Sequence, residues 1–177
     1  MRQIVLLRGI NLGSTRRVAM PALRELLTGA GYEDVRTYVQ SGNVVLSSDA
    51  PPRELERDCA KLISAGFGFE VPVAVRTRDE LAEVVKRNPL AKVATEPKRY
   101  QVSFLSEELD AKTVTKLQEL AAEPERLVVI GREAYAWHPE GVARSKLWNK
   151  LAGKGLGVSA TARNWTTVST LLAMADE

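Results

Sequence analysis

The spacing of apolar residues divides the first half of the chain into six elements. The run QIVLLRGI predicts a buried strand, and leucines at helical spacing after Pro21 predict a helix. The segment DVRTYVQSGNVVLSS predicts a hairpin that turns at residues 41–43. The strand VPVAVRT follows a second helix, whose inward side is Leu55, Cys59, Leu62 and Ile63. This β-α-β-β-α-β order is typical of a ferredoxin-like fold.

The second half repeats most of this order. TRDE at residues 77–80 is a capping box that begins a helix ending before Asn88-Pro89. A strand, a helix over 110–122 and a hairpin around Gly131–Glu133 follow, and two helices are predicted over 142–152 and 164–175. We expect the last strand of this half to be short or lost. The pattern therefore predicts an α+β protein of duplicated ferredoxin-like β-α-β-β-α units, with mostly antiparallel sheets and helices packed on them.

The domain organisation follows from the same repeat. We place a first ferredoxin-like half over residues 1–76 and a second half, with the C-terminal helices, over residues 77–177. No low-complexity linker separates them, so we expect the halves to share or intertwine their cores.

Composition excludes several classes of protein. The chain is 45% hydrophobic and 27% charged, as in ordinary globular proteins. No apolar run approaches the roughly 18 residues of a membrane helix, and no signal peptide is recognisable. We therefore expect a cytoplasmic protein without a membrane partner. With one cysteine and one histidine, we expect no internal disulfide, no metal site and no cofactor.

Charge is distributed unevenly along the chain. Residues 1–48 contain six Lys or Arg and three acidic residues, and residues 141–175 contain five basic residues and no acidic one. If the two ends of the chain meet, they form a positive face that suits an anionic partner. The alternative is that these charges only solvate separate helices.

Seven residues are candidates for binding an anion, because they lie at the ends of predicted strands or at a helix start: Arg8, Asn11, Gln40, Ser41, Asn43, Arg163 and Asn164. In a ferredoxin-like unit the first and third strands are neighbours, which brings the first five together. RGINLGSTRR matches neither the P-loop nor the dinucleotide motif. It can equally be a plain turn, and Asn164 can be a helix cap without any ligand.

No catalytic machinery is recognisable. His138 is the only histidine, Cys59 falls on an apolar helix face, and no G-x-S-x-G motif links a serine to them. Whether the protein is an enzyme is left open.

Several motifs nevertheless resemble a known family. RGIN, QSGNV, RTRDELAEVVKRNPL, ARSKL and TARNWTT, in this order, are similar to bacterial hypothetical proteins grouped as domain of unknown function 1697. The resemblance implies a duplicated ferredoxin-like α/β fold and brings no activity, substrate or catalytic residue. Ala162 and Thr166 depart from the residues usual in that family, which weakens an anion site at the last helix.

Three functions remain in competition at this stage. The first is a binding module for nucleic acid or a phosphorylated small molecule, acting through a basic surface. The second is an enzyme of unknown reaction, with a pocket where Arg8, Asn11, Gln40 and Asn43 converge. The third is a homo-oligomeric interaction protein, for example a homodimer.

Overall fold

The computed structural model describes residues 1–152 and 155–177. By compactness the chain forms two units. Unit 1 comprises Met1–Glu83 and Thr170–Glu177, and unit 2 comprises Val84–Ser169. The predicted halves, 1–76 and 77–177, stay a prediction about folding domains, because compactness does not test which part folds by itself.

Unit 1 is an antiparallel sheet carrying two helices. Its elements follow the predicted β-α-β-β-α-β order: β1 (Arg2–Leu7), α1 (Met20–Gly29), β2 (Glu33–Tyr38), β3 (Asn43–Ser47), α2 (Pro52–Phe67) and β4 (Val73–Thr77). The strand order in the sheet is β2-β3-β1-β4, and every neighbouring pair is antiparallel. The predicted ferredoxin-like arrangement is confirmed in this unit.

The core of unit 1 lies between the helices and one face of the sheet. It includes Leu23 and Leu27 of α1 and the predicted inward residues Leu55, Cys59 and Ile63 of α2, all fully buried. Leu26, which the sequence pattern also placed inward, is only partly buried at the margin of this core. The stripe of α1 therefore faces the sheet through Leu23 and Leu27.

The third helix, α3 (Arg78–Arg87), begins with the predicted capping box. The Thr77 backbone N–H donates to Glu80 Oε2 at 2.9 Å, and the Glu80 N–H donates to Thr77 Oγ1 at 3.1 Å. Two otherwise unpaired N–H groups at the helix start are satisfied in this way.

Unit 2 repeats the topology of unit 1. Its elements are a short 3-10 turn at Pro97–Arg99, then β5 (Tyr100–Leu105), α4 (Ala111–Leu120), β6 (Arg126–Ile130), β7 (Glu133–Trp137), α5 (Lys146–Ala152) and β8 (Ala160–Asn164). The strand order is β6-β7-β5-β8, again with antiparallel neighbours. The last helix, α6 (Trp165–Ala175), and α3 each contribute residues to both units.

The expectation that the last strand of the second half is short or lost was wrong. Strand β8 pairs with β5 over its whole length, from Ala160 opposite Leu105 to Asn164 opposite Gln101. Its sequence, ATARN, has no apolar alternation, because an edge strand needs only backbone hydrogen bonds on one side. Residues 161–164 therefore belong to a strand and not to the start of α6.

Two other element boundaries differ from the sequence-based expectation. Helix α5 begins at Lys146 and not at 142, because the Ser145 side chain caps it by accepting from the Trp148 N–H at 3.0 Å. The first hairpin turns at residues 39–42, so Asn43 is the first residue of β3.

The two faces of the unit 2 sheet pack differently. One face packs on α4 and α5 through small residues such as Ala134 and Ala136. On the other face Tyr100 stacks on Trp165, with ring centroids 4.8 Å apart, and the Tyr135 hydroxyl donates to the Val84 carbonyl at 2.8 Å. Trp165 is thus half-buried, with Tyr100 stacked on its ring inside unit 2.

Over residues 1–152 and 155–177, every helix is too short or too polar to cross a bilayer.

We predict that Leu23→Ala lowers the free energy of unfolding by about 2–5 kcal/mol, because it opens a cavity in the fully buried core. Leu26→Ala removes the same atoms from a partly buried position and should cost clearly less. Urea denaturation of both variants measures the two values. Equal losses would contradict the assignment of Leu23 and Leu27 as the core-facing positions of α1.

Candidate functional site

The pairing of β1 with β3 brings the end of β1 to the tip of the first hairpin. Leu6 lies opposite Asn43 in the ladder, and the Leu7 N–H donates to the Gly42 carbonyl at 2.8 Å. The geometric step that grouped residues from these two segments is therefore confirmed.

Asn11 fastens the loop after β1 to this hairpin. Its Nδ2 donates to the Gln40 carbonyl at 2.7 Å and to the Val18 carbonyl at 2.8 Å. Its Oδ1 accepts from the Val18 N–H at 2.9 Å. Both donor hydrogens of the amide are used, so Asn11 positions the two segments and has no N–H left for a ligand.

Two arginines hold the rest of this loop in shape. Arg16 donates from Nε to the Gly9 carbonyl at 3.0 Å and from Nη2 to the Glu70 carbonyl at 2.6 Å, and its guanidinium lies 5.0 Å from the centre of the Phe69 ring. Arg17 Nη1 donates to the Gly13 carbonyl at 3.0 Å. The stretch RGINLGSTRR is therefore a turn stabilised by its own side chains, and any ligand contact is made on its outer surface.

The other predicted residues of this group are placed unevenly. Arg8 follows β1 and is half-buried, with its backbone N–H bonded to the Pro72 carbonyl, whereas Gln40 and Ser41 are exposed at the hairpin turn. Asn43 is fully buried, and its Nδ2 donates to the Tyr38 carbonyl and to Ser41 Oγ, each at 2.9 Å. The expectation that Asn43 lies at the tip was wrong, because its amide closes the hairpin from within.

Arg163 and Asn164 are the last two residues of β8 in unit 2, so Arg163 lies in a strand, whereas Asn164 lies at the expected start of α6. Asn164 Oδ1 accepts from the Thr167 N–H at 2.9 Å, so Asn164 caps α6. Arg163 donates to the Ala162 carbonyl at 2.9 Å, and burial lowers the pKa of its guanidinium to about 10. Neither residue belongs to the unit that carries the other five.

Unit 2 contains a cluster that the sequence analysis missed, formed by Glu125, His138 and Ser145. His138 Nδ1 and Ser145 Oγ each lie 2.6 Å from the same carboxylate oxygen, Glu125 Oε2. The other carboxylate oxygen, Oε1, accepts from the Ala122 N–H at 3.2 Å. His138 is fully buried, so the histidine that the sequence analysis left without a role is part of a structural centre.

The hairpin register contained a signal for this cluster. Arg126 lies opposite Trp137, so the next residues outward, Glu125 and His138, face each other across the open end of the hairpin. An acid and a histidine placed symmetrically about the Gly131–Arg132 turn could have been paired from the sequence alone.

The cluster has the residue types of a hydrolase triad but not its geometry. In a triad the serine bonds one ring nitrogen of the histidine and the acid bonds the other. Here serine and histidine both bond the acid, and Ser145 Oγ lies 3.4 Å from Nδ1, the nitrogen that already contacts Glu125. His138 Nε2 is buried and has no hydrogen-bond partner among the described residues. In this arrangement one carboxylate oxygen joins the segments that carry Glu125, His138 and Ser145.

The charge state of Glu125 follows from these bonds. Burial alone would raise the pKa of its carboxyl, but hydrogen bonds from Ser145, His138 and the Ala122 N–H together hold that pKa below its usual range. Glu125 and Ser145 form part of the wall of an open cavity of about 400 Å³, beside Arg144 and Pro139.

The fold and the two candidate sites define the class of protein: an α+β protein of two ferredoxin-like units, without a recognisable catalytic constellation among the described residues. The family model described as "Protein of unknown function (DUF1697)" matches residues 1–135, and the chain belongs to that family. The solved structure of a conserved bacterial protein from Streptococcus pneumoniae is similar, with a TM-score of 0.80 and 22% identity over 98% of both chains. At this identity the likeness shows the fold alone. The chain has no match among curated proteins.

We predict that Gly42→Ala destabilises unit 1 by roughly 2–5 kcal/mol. Gly42 has φ +89°, and a Cβ there would lie 2.7 Å from Leu7 Cβ and 2.9 Å from Ile10 Cδ1. Gly13→Ala is a matched control in the neighbouring loop, where a Cβ meets nothing within 4 Å. Thermal and chemical unfolding should separate the two variants. A Gly42→Ala protein as stable as Gly13→Ala would refute the tight contact between hairpin and β1.

We also predict that Glu125→Ala destabilises the protein by roughly 2–4 kcal/mol at neutral pH, because it leaves buried donors of His138 and Ser145 without an acceptor. Since the folded-state pKa of Glu125 is lowered, its contribution is present above the unfolded-state pKa and disappears as pH falls through the folded-state pKa. The stability difference between the wild type and Glu125→Ala should therefore narrow below about pH 4.5.

The control for this experiment is Glu140→Ala, an exposed acid in the wall of the same cavity. We expect Glu140→Ala to change the free energy of unfolding by no more than about 0.5 kcal/mol and to leave the pH dependence of stability unchanged. A Glu125→Ala effect that is equally large at pH 7 and at pH 3 would show that the carboxylate charge plays no part.

Proposed function

We propose that the protein binds an anionic ligand, a nucleic acid or a phosphorylated small molecule, through a loop–hairpin surface formed by residues 8–18 and 39–42. The observation that carries the proposal is the 2.7 Å hydrogen bond from Asn11 Nδ2 to the Gln40 carbonyl. This bond fixes an arginine-bearing loop against an exposed polar turn. A surface that is ordered before the ligand arrives loses less entropy on binding.

The charge of this surface supports the proposal. Arg8, Arg16 and Arg17 lie within 8–18, and neither segment of the surface contains an acidic residue. Glu70 contributes a carbonyl to Arg16, and it is an exposed acid in direct contact with the surface. The net charge of the surface remains positive with this one acid included.

The seven predicted binding residues take different parts in this proposal. Arg8, Gln40 and Ser41 contact the ligand, together with Arg17, whereas Asn11 and Asn43 position them. Arg163 and Asn164 are not needed for it, and their binding role stays a prediction.

The enzyme alternative required a pocket where Arg8, Asn11, Gln40 and Asn43 converge, but the side-chain amides of Asn11 and Asn43 donate to backbone carbonyls. A cavity of about 550 Å³ adjoins the surface, because Glu70 and Pro72 line it and their carbonyls accept from Arg16 and Arg8. Catalysis and homodimer formation stay predictions. The cytoplasmic location expected from the composition is part of the proposal.

We predict that Arg17→Ala weakens binding to heparin and to single-stranded RNA while changing the free energy of unfolding by less than about 0.5 kcal/mol, because Arg17 is exposed and its Nη1 donates to the Gly13 carbonyl of the same loop. Each phosphate contact removed should lower the slope of log K against log salt by about one. Fluorescence anisotropy at two salt concentrations measures both quantities. Arg8→Ala should act in the same direction.

The matched control is Arg57→Ala, which removes an exposed arginine from α2. We expect Arg57→Ala to lower the affinity and the salt slope much less than Arg17→Ala does, because it removes one positive charge at a distance from the ligand. Absence of salt-sensitive binding of the wild type to heparin, RNA or nucleotides would overturn the proposal. Equal effects of Arg17→Ala and Arg57→Ala would place the binding surface elsewhere.

A further inference from the structure

We infer that the anionic partner of the loop–hairpin surface is the face of an anionic lipid bilayer, which the protein contacts with Leu12 and Val39 between its arginines. The inference rests on the proposed function, because it uses the same basic surface. It replaces the nucleic acid or phosphorylated small molecule with the phosphate headgroups of a bilayer, and it departs from the expectation of no membrane partner. It adds apolar contacts, which a soluble phosphate ligand does not require.

The first observation is the exposure of two aliphatic side chains on segments whose adjacent residues are hydrogen-bonded to each other. Leu12 is 86% exposed and Val39 is 50% exposed, which places both among the most exposed large apolar residues of the described chain. Leu12 follows Asn11 and Val39 precedes Gln40, and these two neighbours share the hydrogen bond that joins loop and hairpin. Isolated exposed leucines are common, but two on segments that are bonded together form a shared apolar feature.

The second observation is the backbone of Val39. Its φ is +49°, a conformation in which a β-branched side chain is disfavoured. Glycine or asparagine would relieve this strain at an exposed turn, and neither would present an apolar side chain to solvent. Residues with a strained backbone persist only where the surrounding structure fixes their conformation, and they are found most often at functional sites. Here the Asn11 bond and the closed Asn43 pairing hold the turn.

The third observation is the combination of these residues with positive charge. Arg8, Arg16 and Arg17 surround Leu12 in sequence, and no aromatic residue occurs in 8–18 or 39–42. The Phe69 ring beside this surface is already covered on one side by the Arg16 guanidinium. Nucleic-acid binding surfaces that take up bases use aromatic side chains for stacking, whereas aliphatic side chains offer little to a phosphate chain. An anionic bilayer presents both partners at once, headgroup charge for the arginines and acyl chains for Leu12 and Val39.

Such contact needs no membrane-spanning helix. The protein would lie on the bilayer with one end of unit 1, and its affinity would depend on both charge and buried apolar area. Each arginine near the surface contributes about fivefold to binding at moderate salt, and loss of an inserted leucine should cost about tenfold or more.

The test is cosedimentation of the full chain with vesicles of phosphatidylglycerol and phosphatidylcholine, and with vesicles of phosphatidylcholine alone. We expect salt-sensitive binding to the first and none to the second. Leu12→Ser should weaken vesicle binding about tenfold and leave heparin affinity unchanged. Val93→Ser, at another exposed apolar residue, is the matched control and should change neither.

The outcomes separate this inference from the proposed function. Binding to heparin without binding to phosphatidylglycerol vesicles would overturn the inference of a bilayer partner and leave the proposed anion-binding surface standing. Binding to neither would overturn both. Equal weakening of heparin and vesicle binding by Leu12→Ser would also overturn the inference, because Leu12 would then support the loop and not enter the lipid.

Discussion

The structure of unit 1 depends on the burial of its central strand β1, which is hydrogen-bonded on both sides. Residues Gln3 to Leu7 are at most 2% exposed, so both faces and both edges of this strand are covered. Every buried backbone N–H and C=O group of such a strand needs a hydrogen-bond partner. The strand therefore ends where its pairing with β3 and β4 ends. The antiparallel pairing with β3 then places the loop after β1 beside the turn that precedes β3. The candidate surface is a consequence of this pairing.

Polar side chains complete the hydrogen bonding where the ladders stop. Asn11 satisfies both polar groups of Val18 and the Gln40 carbonyl, and Asn43 satisfies the Tyr38 carbonyl. Glu125 has the same part in unit 2, where one carboxylate accepts from three segments of chain. Amides and carboxylates near the ends of strands can therefore be scaffold even when they resemble binding residues. In the proposed function, the exposed arginine and apolar side chains of the same segments contact the ligand.

The sequence predicted elements well where local chemistry decides. The Thr77–Glu80 capping box and the stripe Leu55, Cys59 and Ile63 both appear as expected, because each depends on residues within one or two turns of helix. Prediction failed where a distant partner decides. Strand β8 has no apolar alternation of its own and exists through its pairing with β5. Of the candidate site, the meeting of Asn11 with Gln40 was predictable from topology, but the inward direction of Asn43 was not.

The sequence by itself determined the order of elements as far as α5, the duplicated α+β architecture and the grouping of basic residues near the end of β1, since hydrophobic period and turn chemistry are local properties. Only the tertiary structure decided which polar side chains are used in internal hydrogen bonds and which stay exposed to solvent. Asn43 and His138 look available in sequence, yet both are fully buried, and Leu12 and Val39 look like core residues, yet both are exposed. The reason is physical: burial and hydrogen bonding depend on which segments meet across the sheet, and a residue's type does not specify its neighbours.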